Sequence, residues 1–190
     1  MYQAVVIGVS MGGLGTLREI FMNLIESFSL PVLIVQHIHA QSENHLPNYL
    51  NKLTHLSVKE ADEKEMITQN NVYLAPPNYH LIVEDDKTIS LSTDERVNYC
   101  RPSIDVLFES AADAYGPDLI GIILTGANSD GANGMLKIKE KGGLLIVQDP
   151  ATADVTTMPL SVIKQTHVDY ILTLKEIAAF LNRTVYEKND

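Results

Sequence analysis

Cysteine is nearly absent from this chain: Cys100 is the single one in 190 residues. One thiol cannot close an internal disulfide, so no disulfide framework holds the fold, and the usage suits a reducing compartment such as the cytoplasm. Basic residues are also few, with 14 Lys and Arg against 24 Asp and Glu and a formal net charge of −10. A nucleic-acid backbone demands clustered Lys and Arg, so nucleic acid is not an expected partner. No apolar run approaches the length of a membrane span. The start, Met1-Tyr2-Gln3, runs into a strand pattern with no basic segment ahead of a long apolar stretch, so neither membrane insertion nor an export signal is expected. Repeats, linkers and low-complexity stretches are missing as well. Acidic residues gather over 60–65 and 84–95, and both groups read as solvated loop faces.

What remains is a chain with 45% apolar residues, enough for one well-buried domain, expected over residues 1–184 with 185–190 as a frayed tail. Apolar runs at 4–7 and 32–36 read as strands buried on both faces, and helical spacing follows over 14–28 and 43–53. Short segments at 57–59, 72–74, 80–83 and 88–91 read together as an antiparallel insert, with Asp85-Asp86-Lys87 as a hairpin turn. Pro102 in Arg101-Pro102-Ser103 opens a helix at a position where a missing N–H costs least. Beyond it come a strand over 119–124, a helix to about 141 capped by Gly142-Gly143, and a strand over 144–147. A helix over 160–165, a strand over 170–172 and a helix over 174–183 complete the chain. This alternation predicts an α/β fold: a doubly wound, mostly parallel sheet with helices on both faces and a small antiparallel β-hairpin insert.

Ligands of such sheets bind outside the carboxyl ends of the strands. The first strand ends in Gly8-Val9-Ser10-Met11-Gly12-Gly13, where a serine flanked by glycines turns directly into a helix. That pattern lifts a hydroxyl above the sheet as a nucleophile elbow does. It also fits a bare tight turn or a phosphate cradle, although no G-x-G-x-x-G with a suitably placed acidic residue supports a dinucleotide. Other strands end at His37, at the loop containing Asp130, and at Asp149. A hydroxyl, an imidazole and a carboxylate on one sheet edge are the parts of a nucleophile, a base and an orienting group. Alternatives stay open at each place. Asp130 fits a carboxylate bonded to its own turn, and Asp149 competes for the orienting role, although Pro150 marks it as a turn residue. His80 is the reserve base. Cys100 reads as a small apolar residue near a helix end rather than a nucleophile. His37 and His39 form a His-x-His pair, but no third ligand follows at a familiar spacing, so no metal is expected.

The ordered blocks Ile7-Gly8-Val9-Ser10-Met11-Gly12-Gly13, Gln36-His37, Ala75-Pro76 with His80, Arg101-Pro102-Ser103-Ile104-Asp105, Leu124-Thr125-Gly126 with Asp130-Gly131, Gln148-Asp149 and Met158-Pro159 cover nearly the whole chain. On them the chain resembles the catalytic domain of the protein-glutamate methylesterases of bacterial chemotaxis, the CheB-like enzymes. The resemblance implies a catalytic serine at Ser10, a histidine at His37 and an aspartate at Asp130. It implies hydrolysis of glutamate methyl esters on the cytoplasmic domains of chemotaxis receptors, in some members deamidation of receptor glutamines, and no metal or organic cofactor. Backbone N–H groups of Met11 and Ala127 are the oxyanion-hole candidates. This chain departs from the family pattern in three places. Gly126-Ala127-Asn128 stands where the family has Gly-Met-Gly, His39 stands for a proline and Thr157 for a glycine. A receiver domain, typical ahead of the family's catalytic domain, is expected to be absent from this chain.

Overall fold

The first strand, β1, runs over Ala4–Val9 and is buried along its whole length. The computed structural model describes residues 1–37 and 45–184. After β1 come α1 (Gly13–Met22), β2 (Val32–Gln36), α2 (Leu46–Leu50), β3 (Ser57–Glu60), β4 (Asn71–Leu74), β5 (His80–Val83) and β6 (Ile89–Ser92). The second half supplies α3 (Ile104–Tyr115), β7 (Leu119–Ile123), α4 (Ala132–Glu140), β8 (Leu144–Gln148), α5 (Thr157–Gln165), β9 (Tyr170–Leu172) and α6 (Leu174–Arg183). Seven strands form one sheet in the order β3-β4-β2-β1-β7-β8-β9, every pair parallel, and β5 and β6 form a separate antiparallel hairpin. The expected doubly wound α/β architecture is therefore the observed one.

Side chains that alternate along a strand separate into two cores. Val5, Ile7 and Val9 of β1, with Val32 and Ile34 of β2, face Leu17, Ile20 and Phe21 of α1, Leu50 of α2 and Ile177 and Leu181 of α6. Ala4, Val6, Leu33 and Val35 point the other way, toward Leu107 and Phe108 of α3, Met135 of α4, Val162 of α5 and Leu81 of the hairpin. Each such fully buried aliphatic or aromatic side chain stabilises the fold by about 1.5–3 kcal/mol before entropy is counted. α3 and α4 pack closely at Gly134, where an added Cβ would collide with Cβ of Phe108. Gly134 is thus required by packing, not by backbone conformation.

Three expectations change. The helical spacing over 14–28 ends early: α1 stops at Met22, where Asn23 closes it. Leu24, Ile25 and Phe28 continue the apolar pattern because they pack on the same core, so their spacing reports burial rather than helix. Of the four short segments read as one antiparallel insert, only β5 and β6 are antiparallel. β3 and β4 extend the parallel sheet, with Val58 beside Val72 and Val72 beside Val32. Pro102 lies ahead of the N-cap Ser103 of α3 rather than in its first turn. Of the helix expected over 43–53, residues 43 and 44 lie outside the described residues, and over the rest the helix is confined to α2, with turns over 51–53. His39 and the tail 185–190 lie outside the described residues.

Candidate active site

β1 lies at the centre of the sheet, and the chain leaves it on one side to β2 and returns on the other as β7, which makes its carboxyl end the switch point where ligands bind. Backbone hydrogen bonds extend both ladders past the strands. His37 N–H donates to Val9 C=O at 3.0 Å, and Ser10 N–H donates to Thr125 C=O at 3.0 Å. Ser10 and His37 are therefore neighbours across adjacent strand ends, with the Thr125 to Asp130 loop on the other side. The turn after Ser10 is closed by Gly13 N–H donating to Ser10 C=O, and the left-handed residue is Gly12 at φ 84°. A side chain on Gly12 would also strike the carboxylate of Asp154. The strain of the turn thus falls two residues after the serine. Ser10 is partly exposed, and its hydroxyl makes no hydrogen bond among the described residues.

Asp130 is fully buried and its two oxygens collect five donors. Oδ2 accepts from His37 Nε2 at 2.8 Å and from Ile104 N–H at 2.7 Å. Oδ1 accepts from Ser103 Oγ at 2.9 Å, Asn98 Nδ2 at 3.0 Å and Asp105 N–H at 3.3 Å. Ile104 and Asp105 open α3, so the carboxylate caps that helix and meets the positive end of its dipole. None of these donors comes from its own turn, which removes the simple turn reading. Burial pushes its pKa up, but the hydrogen bonds from His37, Asn98 and Ile104 outweigh it and hold the carboxyl below its ordinary value. That stabilisation is present above the ordinary carboxylate pKa and is lost as pH falls through the depressed one.

His37 is pulled down by burial and pushed up further by the hydrogen bond to Asp130 and the contact with Cys100, to a pKa of about 9. A raised histidine pKa stabilises the fold fully below about 6.5, and the contribution is lost as pH rises through about 9. With Nε2–H given to Asp130, the basic lone pair belongs to Nδ1. Among the described residues two side chains address it: Asn128 Nδ2 at 3.3 Å and Cys100 Sγ at 3.9 Å. Cys100 therefore sits against the imidazole, contrary to its reading as a filler near a helix end, and a separation of 63 positions along the chain gives no signal of it. Asn128, a loop position in the sequence, is also a partner of the histidine. Asn98, Ser103 and Asp105 were missed as the shell around Asp130; the acid-capped start of α3 is the signal that could have found them.

The other candidates resolve differently. His80 is buried, with Nε2 bonded to Glu95 C=O at 3.1 Å and Nδ1 accepting Ser103 N–H at 3.2 Å, so both nitrogens are used in structure. Asp149 caps its own turn, accepting Ala151 N–H at 2.9 Å. His37, Cys100 and Asp130 carry potential metal-ligand atoms within 4.8 Å of one another. Asp130 has its oxygens occupied, which among the described residues leaves His37 Nδ1 and Cys100 Sγ, fewer than the three or four protein ligands of a zinc site. The N–H groups of Met11 and Ala127 donate to no other group among the described residues, as an oxyanion hole requires.

A sequence model described as CheB methylesterase matches residues 5–181. The chain belongs to the CheB methylesterase family. A Leptospira interrogans relative, provisionally named protein-glutamate methylesterase/protein-glutamine glutaminase, is 55% identical over 96% of this chain and 94% of its own length. The protein-glutamate methylesterase/protein-glutamine glutaminase of Trichodesmium erythraeum is 35% identical over 96% of this chain, which spans 53% of that longer relative. The crystal structure of the Thermotoga maritima CheB methylesterase catalytic domain superposes with a TM-score of 0.91 at 35% identity, covering 97% of this chain and 99% of that one. In this chain the Ser10, His37 and Asp130 positions fall on one edge of the sheet, at the carboxyl ends of β1, β2 and β7. No described helix is long and apolar enough to cross a membrane.

Proposed function

We propose that this chain is a serine hydrolase that removes methyl esters from glutamate side chains of chemotaxis receptors and also deamidates receptor glutamines, with Ser10 as nucleophile, His37 as base and Asp130 as orienting group. The observation that carries this reading is the 2.8 Å bond between His37 Nε2 and the buried Asp130 carboxylate, one strand away from Ser10, whose hydroxyl has no hydrogen-bond partner among the described residues. Asp130 takes Nε2–H and so leaves Nδ1 as the acceptor. As Ser10 Oγ attacks the ester carbonyl, its proton passes to Nδ1. The developing oxyanion is received by the N–H groups of Met11 and Ala127, each worth about 3 kcal/mol in such a site. Collapse of the adduct takes the proton from His37 and releases methanol, or ammonia from an amide. Water then repeats the sequence, giving glutamate and free Ser10. Methanol release from methylated receptor membranes tests this: it is expected from the wild type and abolished in Ser10→Ala, and equal release from the variant would reassign the nucleophile.

A second reading has its own observation. Nδ1 faces Asn128 and Cys100, an arrangement suited to a binding or regulatory module whose base is withheld from the serine. A fluorophosphonate adduct on Ser10 at neutral pH would exclude that reading; its absence would favour it.

A further inference from the structure

Tyr99 is 95% exposed, more than any other large apolar or aromatic side chain among the described residues, and its backbone is left-handed with φ 64°. A bulky residue rarely adopts that conformation. The local hydrogen bonding explains how it is held. Val97 N–H donates to Cys100 C=O at 3.2 Å, Cys100 N–H donates back to Val97 C=O at 2.8 Å, and Asn98 precedes Tyr99 with φ 51°. Two left-handed residues between a paired flank make a type I′ hairpin turn, in which Asn followed by Gly is the favoured pair. Tyrosine occupies the glycine position here, so the chain tolerates strain to present a ring to solvent.

The turn is fastened on both sides of Tyr99 to the proposed machinery. Asn98 Nδ2 donates to Asp130 Oδ1 at 3.0 Å and to Asp105 Oδ2 at 2.8 Å, and Cys100 Sγ lies 3.9 Å from His37 Nδ1. The ring is thus carried from a fixed support beside the base. Further apolar surface flanks the nucleophile, since Met11 directly after Ser10 is 60% exposed and Leu14 is 51% exposed. With a formal net charge of −10, the chain as a whole offers little electrostatic attraction to a partner bearing glutamates, which favours contact through apolar groups.

We propose that Tyr99 is a specificity-determining residue that packs against the polypeptide carrying the esterified glutamate. This rests on the methylesterase reading above. An aromatic face favours the neutral ester and its aliphatic stem over the carboxylate that each turnover produces, while the hydroxyl stays in water. The test compares wild type, Tyr99→Gly and Tyr99→Phe on methylated receptor membranes and on p-nitrophenyl acetate. Glycine suits the turn, so Tyr99→Gly is expected to keep or raise the melting temperature. Its KM for methylated receptor is expected to rise about tenfold and its p-nitrophenyl acetate turnover to stay within about twofold of wild type. Tyr99→Phe is expected to retain the wild-type KM. An unchanged KM in Tyr99→Gly overturns the proposal. So does a parallel fall on both esters, because that would mean an effect passed through His37. A wild type that releases no methanol from receptor, or a Ser10→Ala variant that still does, removes the methylesterase reading and this inference with it.

Discussion

On its Nε2 side, His37 meets a carboxylate with no exposed surface whose oxygens accept five hydrogen bonds from α3, the 97–100 turn and the imidazole itself. On its Nδ1 side it meets partly exposed Cys100 and Asn128 at 3.3 to 3.9 Å, near a serine whose hydroxyl has no partner among the described residues. One side is preorganised and dry; the other is loose and open. That division suits a site in which orientation is built in advance and the substrate completes the rest. The preorganised side also contributes stability, whereas the open side contributes little.

The largest expected effect lies on the enclosed side. Asp130→Asn leaves donors facing an amide and misdirects the histidine tautomer, so kcat on methylated receptor is expected to fall by about 10³–10⁴-fold. Stability is expected to fall by about 3 kcal/mol or more, read from denaturant melts. Asp149→Asn is the matched control, expected to stay near wild type because that carboxylate only caps its turn. The reverse pattern would move the orienting role to Asp149. A smaller effect is expected in the pH profile. With His37 at about 9, kcat/KM should rise with pH toward a midpoint near that value. The Cys100 contact raises the pKa, so Cys100→Ala should move the midpoint down and increase activity at neutral pH; an unmoved midpoint would leave the rise to Asp130. The smallest effect is expected at Asn128. Asn128→Gly removes a hydrogen bond to Nδ1 worth about 0.5–1 kcal/mol, so hydrolysis of p-nitrophenyl acetate should rise about two- to fivefold. A fall instead would make Asn128 a support of the base rather than a competitor for it.

Much of the frame was legible in the residues themselves. Gly8 to Gly13 marked a strand-turn-helix unit because glycines cluster where the backbone turns sharply, and Gly12 does adopt the left-handed conformation. Gly142 does so as well, at the expected end of α4. Asp149 was recognisable as a turn residue from Pro150. The partner sheet of β3 and β4 was not legible, since a four-residue strand carries no sign of which neighbour it will meet. The length of α1 was misread because Leu24, Ile25 and Phe28 are apolar for packing reasons that helical spacing imitates. Cys100 and Asn128 were invisible as partners of His37, being 63 and 91 residues away along the chain.

By itself the sequence determined the α/β class, the serine turn at the end of β1 and the residues whose order and surroundings identify the family, because these rest on local periodicity and on short motifs. Tertiary structure alone decided what surrounds His37: the start of α3 placed on Asp130, the strained turn that brings Cys100 and Tyr99 beside the site, and Asn128 at Nδ1. Contacts of that kind depend on how strands stack and where loops cross, which no local pattern encodes.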